Sequence, residues 1–183
     1  MQQSYARVVG VTEVVQASEL LEDALRMHSL GSEANRSPVI REFTNVPPIT
    51  VDRHKVVQIL VSLLKNARQA CESLPEAERR ISVRIGAVGP DRIKIEVADN
   101  GVGIAQENLM CIFAHGFSTR PNGHGFGLHS AALAAAEMGG TLSAKSGGPG
   151  HGAIFCLELP LKPKPGSERG RAREDWSLIG DDE

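Results

Sequence analysis

Aromatic side chains are scarce in this chain, making up 4% of its 183 residues, with one Trp, one Tyr and five Phe. A hydrophobic core must therefore be assembled mainly from Val, Ile, Leu and Ala. Cysteine is also sparse. Cys71, Cys111 and Cys156 are widely separated and odd in number, which disfavours both a disulfide framework and paired-cysteine zinc sites. Neither charge dominates, since 20 Lys+Arg face 22 Asp+Glu for a net −2. A nucleic-acid-binding surface normally carries a basic excess, so no nucleic-acid partner is expected. No apolar run approaches the roughly 20 residues of a membrane span. Residues 1–10 lack the basic-then-apolar order of a secretory signal. These absences point to a cytoplasmic domain in a reducing compartment.

Several catalytic signatures are missing as well. There is no Gly-Lys pair and hence no Gly-Lys-Ser/Thr phosphate loop, no His-Glu-x-x-His zinc motif, and no Gly-x-Ser-x-Gly elbow. The glycines do not follow the first strand of a βαβ unit, which disfavours a dinucleotide fold. The six histidines, His28, His54, His115, His124, His129 and His151, show no metal spacing.

The hydrophobic pattern orders the chain. Val11–Val15 suits an edge strand, and residues 19–35 suit a helix capped by Ser18, with Leu20, Leu21, Ala24 and Leu25 on one face. Val39–Phe43 reads as a strand ended by Pro47-Pro48. Asp52 caps a strong helix to about Ser73, with Val56, Val57, Leu60, Leu63, Leu64 and Ala67 at helical spacing. Ile81–Ile85 and Ile93–Val97 alternate around Gly89-Pro90-Asp91, the pattern of an antiparallel hairpin with one buried face. A short helix over 106–113, a polar, glycine-rich and mobile loop over 114–127, an alanine-rich helix over 128–138 and strands at 141–146 and 153–159 follow. From Leu161 the composition shifts to Pro, Gly and mixed charge, which predicts a disordered tail over 161–183 with Trp176 as a docking point. The expected fold is α+β: a two-layer α/β sandwich with helices on one face of a mixed, mostly antiparallel sheet.

Three clusters carry chemistry. Asn66, on the strong helix, offers an amide oxygen of the kind Mg²⁺ accepts; taken alone, a solvated helix face is the better reading of it. Asp99-Asn-Gly-Val-Gly-Ile104 follows a strand. Its carboxylate can accept a hydrogen from an exocyclic amine such as that of adenine, and Gly101 and Gly103 permit close approach to a flat ring. A plain surface turn would use similar residues. Gly123-His-Gly125-Phe-Gly127-Leu128 opens a helix, where free N–H groups and the positive dipole end suit phosphate; a flexible loop is the plainer alternative.

Together, in this order, the clusters resemble the ATP-binding domain of sensor histidine kinases, in the superfamily that includes gyrase, chaperone and mismatch-repair ATPases. The likeness runs from about Ser18 to Pro160. Val51–Val56 leading into Leu63-Leu-Lys-Asn-Ala67 resembles the asparagine box, and Asp99–Ile104 the first glycine box. Ile112–Phe117 resembles the phenylalanine box, Gly123–Leu128 the second glycine box, and Gly150–Pro160 the terminal strand. The resemblance implies residues 18–160 as the catalytic domain, 1–17 as the end of a dimerisation helix with its linker, and 161–183 as the tail. It implies ATP and Mg²⁺ as cofactors. Asn66 would be the metal ligand and a catalytic residue, with Arg120 offered to the terminal phosphate. Asp99, Gly101, Gly103 and Ile104 would line the adenine side, and Gly123, His124, Gly125, Gly127 and Leu128 the phosphates. Its partners would be a histidine-containing dimerisation domain, through which the full-length kinase is a homodimer, and a response-regulator receiver domain.

There are departures from the family pattern. Ser62 stands where an Asn is frequent, and Ala153 where a Thr is usual. No histidine precedes Glu or Asp at the start of a long amphipathic helix, so the phospho-acceptor helix is missing and the chain reads as the catalytic portion of a longer kinase, membrane-anchored or free, or as a truncated product. Two rivals stay open: a non-enzymatic nucleotide-binding regulator that docks on a kinase or receiver domain, and a gyrase-type ATPase. The latter needs a Glu at position 62 to activate water, a task for which a Ser hydroxyl is a poor base.

Overall fold

The structure is a computed structural model and describes residues 11–29, 39–119 and 125–163. Its elements are β1 (Thr12–Val15), α1 (Ala17–Ser29), β2 (Val39–Phe43), β3 (Ile49–Asp52), α2 (Arg53–Ala70), β4 (Ile81–Val88), β5 (Arg92–Asp99), α3 (Gln106–Leu109), α4 (Gly127–Glu137), β6 (Thr141–Lys145) and β7 (Ala153–Pro160), with one 3-10 turn at Glu76–Glu78. Among the described residues the main sheet has the order β2-β4-β5-β7-β6. β2 runs parallel to β4, and the other neighbours are antiparallel. This is the mixed, mostly antiparallel sheet expected from the alternating patterns.

The alternation has a direct consequence. Ile81, Val83 and Ile85 of β4 point to the same side as Ile93, Ile95 and Val97 of β5 and Phe155, Leu157 and Leu159 of β7, and all are buried. Register places Val83 beside Val97 and Val97 beside Phe155, so the side chains form rows across the sheet. Onto this face pack α2 and α4, with α1 laid against α2. α2 buries Val56, Val57, Ile59, Leu60, Leu63, Leu64 and Ala67. Each of these Val, Ile and Leu side chains contributes about 1.5–3 kcal/mol on leaving water. Among the described residues Phe155 is the one buried aromatic, in line with the composition.

The start of α2 is built as the sequence implies. Asp52 Oδ1 accepts from Lys55 N at 3.1 Å, satisfying one of the amides that a helix start leaves open. Next to it, Arg53 Nε donates to Asp23 Oδ2 at 3.1 Å and ties α2 to α1. That hydrogen bond holds the Asp23 carboxyl below its ordinary pKa.

Four local expectations are corrected. α1 begins at Ala17, not Glu19, because Ala17 is fully buried and the helix starts early enough to place it there. Ser18 thus sits inside the first turn instead of capping it, and Gln16 O accepts from Glu19 N at 3.0 Å. The proposed end of this helix at Asn35 lies outside the described residues. α2 stops at Ala70 instead of about Ser73, since Ala70 O is drawn into a bond with Val102 N at 3.0 Å. The helix after Gln106 spans four residues, and the chain continues to Phe113 in turns such as Cys111 N to Asn108 O, 2.8 Å. β3 was not foreseen. It is four residues squeezed between Pro48 and α2, and it pairs antiparallel with β1, Val15 opposite Ile49.

β1 also bears on the chain's beginning. Val15 and Ala17 are buried in the common core, so the described part of residues 1–17 packs on the body, while 1–10 lie outside the described residues. At the other end Leu161 is bonded to both Thr50 and Asp91 through its backbone, and 164–183 lie outside the described residues. Among the described residues no helix is long and apolar enough to cross a membrane.

Candidate functional site

Ser62, Asn66 and Ala70 lie four residues apart on α2 and so form one stripe along the helix. At a rise of 1.5 Å per residue the stripe is about 12 Å long. Each end of it meets a different loop. At the far end a Cβ added to Gly101 would fall 2.2 Å from Ala70 O. No side chain fits there, and the turn after β5 lies directly against the end of α2, with Val102 N bonded to Ala70 O. At the near end a Cβ on Gly127 would lie 3.0 Å from Ser62 Oγ, so the first residue of α4 rests on Ser62. Asn66, half-buried, stands midway between the two.

The turn Asp99–Ile104 carries the candidate base-recognition group. Asp99 Oδ1 accepts from Gly101 N at 2.9 Å, which fixes the plane of the carboxylate, and Oδ2 is withdrawn from water. Asn100 ties the same turn to the segment before β4. Its Nδ2 donates to Glu78 O and its Oδ1 accepts from Arg80 N, both at 2.8 Å. Cys71 Sγ also donates to Asn100 Oδ1, at 3.6 Å. Burial, reinforced by the Asp99 charge, pushes the Cys71 thiol above its ordinary pKa and keeps it a neutral donor. Ile104 is partly buried against the core, so it forms wall more than contact surface.

At the other end, α4 starts from Phe126 with no side-chain cap. Its first N–H groups therefore keep their capacity for an anion, as at other helix starts. Gly127 opens this turn, and Leu128 packs against the core behind it. Gly125 has φ +66°, and a Cβ on it would strike the Gly116 backbone at 2.4 Å. The two described flanks of the 114–127 loop thus touch through glycine. His115 completes the contact, its ring edge-on to both Phe126 and His129 at 5.1 Å between centroids. His129 Nδ1 lies 2.9 Å from Phe113 O. Arg120, Gly123 and His124, and the middle of the expected mobile loop, lie outside the described residues.

Asn66, Asp99, Gly101, Ile104, Gly125, Gly127 and Leu128 are thus gathered on α2 and the two loops it supports, and Gly103, at φ +72°, lies against Gly148 O of the β6–β7 turn. One residue of this neighbourhood, Ser146, had no role in the sequence reading, and Gly152 entered it only as part of the terminal-strand motif. Ser146 Oγ accepts from Ile104 N at 3.0 Å, and Gly152 N donates to Gly101 O at 3.2 Å. Both sit in the β6–β7 turn, whose Gly/Pro composition marks a turn without marking what it leans on.

These residues fit a nucleotide with magnesium. A turn held flat against α2 at Gly101, an oriented carboxylate and an uncapped helix start suit a flat base at one end and phosphate at the other. Among the described residues no group of three His, Cys, Asp or Glu could hold a metal alone. A single amide ligand on Asn66 with phosphate oxygens completing the shell is the donor set a hard ion accepts.

Comparison with known proteins identifies the family. Residues 51–163 match the family described as histidine kinase-, DNA gyrase B-, and HSP90-like ATPase. The chain is 33% identical over 159 residues to the sensor histidine kinase ZraS of Klebsiella oxytoca, covering 85% of this chain and 33% of that protein. Among solved structures it resembles the mycobacterial sensor histidine kinase MprB, with TM-score 0.69, 25% identity, 84% of this chain and 99% of that one. It also resembles full-length ShkA in complex with AMPPNP, with TM-score 0.71, 25% identity, 86% of this chain and 33% of that one. The chain spans about a third of the length of the curated relative it matches over most of its own length.

Proposed function

We propose, because the chain belongs to the histidine kinase-, DNA gyrase B- and HSP90-like ATPase family, that it is the ATP-binding catalytic portion of a two-component sensor histidine kinase. It passes the γ-phosphoryl group of ATP to a histidine on a separate dimerisation domain, from which a response-regulator receiver domain takes it. The observation that carries this reading is the Ser62–Asn66–Ala70 stripe, which sets a metal-competent amide between a base-recognition turn and a phosphate-competent helix start. ATP lies along that stripe. Asp99 accepts a hydrogen from the adenine amino group, and Gly101, Gly103 and Ile104 frame the ring. The first N–H groups of α4, at Gly127 and Leu128, donate to phosphate oxygens, with Gly123, His124 and Gly125 in the loop that reaches them. Asn66 and Arg120 attend the transferred group. Magnesium bound at Asn66 supplies neutralisation of the phosphate charge. The protein's contribution is positioning and electrostatic stabilisation of an in-line transfer.

Residues 18–160 form the catalytic unit, with 1–17 leading in from the dimerisation helix, β1 being packed on the body, and 161–183 leading out. The parent kinase works as a homodimer with this domain on the cytoplasmic side. Ser62 weighs against a gyrase-type ATPase, because it lies under Gly127 as a neutral hydroxyl where a water-activating carboxylate would be needed.

Mixing the chain with a separately made, dimeric, histidine-containing domain and γ-labelled ATP tests the reading. Label should reach the acceptor histidine, though slowly without the roughly millimolar effective concentration of a covalent link. Rapid ATP turnover indifferent to any acceptor would overturn the kinase assignment in favour of the ATPase.

A further inference from the structure

Ser146 stands immediately after β6 and makes more hydrogen bonds than its place in a turn requires. Its hydroxyl has one hydrogen and two lone pairs. The hydrogen goes to Gly152 O at 2.6 Å, with Gly148 O a longer second acceptor at 3.3 Å. The lone pairs accept from Gly148 N at 3.2 Å and from Ile104 N at 3.0 Å. The first three contacts stay within the 146–152 turn. The fourth crosses to the turn that carries Asp99, and it fills the last bonding capacity of the oxygen.

Around this crossing the two turns are joined by their backbones. Gly150 N donates to Val102 O at 2.8 Å and Gly152 N to Gly101 O. Gly152 holds φ +64°, and a Cβ there would meet Asp99 O at 2.0 Å. The base-recognition turn is therefore gripped from one side by Ala70 of α2 and from the other by a turn whose shape Ser146 sets. We propose that Ser146 is a positioning residue for adenine recognition: it fixes the Asp99–Ile104 turn before nucleotide arrives and thereby sets the preference for a base bearing an exocyclic amine. This rests on the reading of Asp99 as the acceptor of that amine.

Removing the hydroxyl leaves the Ile104 and Gly148 amides to find water, and it frees the Asp99 turn to shift. A small shift spoils a bond to one ring substituent more than it spoils stacking or phosphate contacts. Calorimetric titration of Ser146→Ala, Ser146→Thr and Asp99→Asn with Mg·ADP and Mg·IDP tests this, since inosine lacks the amine. Ser146→Ala should weaken ADP about tenfold, a change of about 1.4 kcal/mol, and leave IDP within about twofold. Ser146→Thr, which keeps the hydroxyl, should restore the ADP preference. Equal loss for both nucleotides in Ser146→Ala would reduce Ser146 to a stabiliser of its own turn and overturn the inference. Asp99→Asn losing the preference while Ser146→Ala keeps it would overturn this inference alone. Asp99→Asn keeping the preference would overturn the adenine reading and this inference with it. Should Ser146→Ala not fold, amide hydrogen exchange on the unaltered chain decides. Protection of the Ile104 amide without nucleotide supports a turn set in advance, and protection appearing only with ADP overturns it.

Discussion

The two ends of the site are built by different means. The Asp99–Ile104 turn is held by backbone hydrogen bonds to Ala70, to Arg80 and to the 146–152 turn, with a serine hydroxyl at the junction. The flanks of the 114–127 loop meet through a glycine-on-glycine approach and edge-on rings, and His115 and Phe126 in that contact are both exposed. Directional bonds at one end fix a single shape, whereas ring contacts and glycines at the other tolerate several. The contrast matches the ligand proposed here. Adenine is the same in ATP and ADP, while the phosphate chain changes length during the reaction.

The largest expected effect follows from that contrast. Gly101→Ala forces a Cβ to within 2.2 Å of a helix-end carbonyl that is backbone and has nowhere to go. It should destabilise the fold by about 3 kcal/mol or more, in the range of severe overpacking, and abolish nucleotide binding. Gly116→Ala, at φ +75° with nothing within 4 Å of the new Cβ, should cost only the left-handed backbone penalty of about 1–2 kcal/mol. Denaturant unfolding of the two variants measures both. Similar losses would erase the distinction between a locked end and a tolerant one.

The locked end was also the more legible one. Asp99-Asn-Gly-Val-Gly-Ile104 is a continuous stretch after a strand with clear period-two alternation, and the strand and turn lie where that pattern placed them. The α2 stripe was legible in part, because Asn66 stands on a helix whose buried face is regular. What holds the turn was not legible. Ser146 lies 42 residues from Ile104, and a serine before Gly-Gly-Pro-Gly reads as turn chemistry whether or not a second turn leans on it. β3 was hidden for a local reason: Ile49–Asp52 is too short for alternation to register between two prolines and a helix cap. The parallel pairing of β2 with β4 depends on where α2 returns the chain, which no pattern within Val39–Phe43 encodes.

Next in size are changes to the ligand-facing groups. Asn66→Ala removes the amide oxygen that the proposed site offers to magnesium. ATP affinity measured with magnesium should fall at least about tenfold, while affinity measured with EDTA present should barely change, since hard-ion binding depends on that donor. Asp99→Asn turns a hydrogen-bond acceptor into a donor facing another donor. It should cost about 1–3 kcal/mol of ATP and ADP affinity alike, with thermal unfolding of the free protein little altered. Unchanged ATP affinity in Asp99→Asn would remove base recognition from the locked end.

The smallest effect is expected at the tolerant end. His115→Ala removes two edge-on ring contacts, to Phe126 and His129, but leaves the Gly125–Gly116 approach and the buried Ile112 in place. Ring pairs of this kind are worth about 0.5–1.5 kcal/mol when well packed, and His115 is exposed, so the lower part of that range applies. ADP reaches less far along the site than ATP. The variant should therefore lower ATP affinity by about twofold to threefold and leave ADP affinity unchanged, a split that paired calorimetric titrations resolve. His129 should behave differently, because its Nδ1 lies 2.9 Å from Phe113 O and links α4 to the segment before the loop. His129→Ala should lower the unfolding temperature as well as ATP affinity. If His115→Ala weakened ADP as much as ATP, the ring contacts would be shaping the whole cleft, and the two ends would have to be treated as one rigid site.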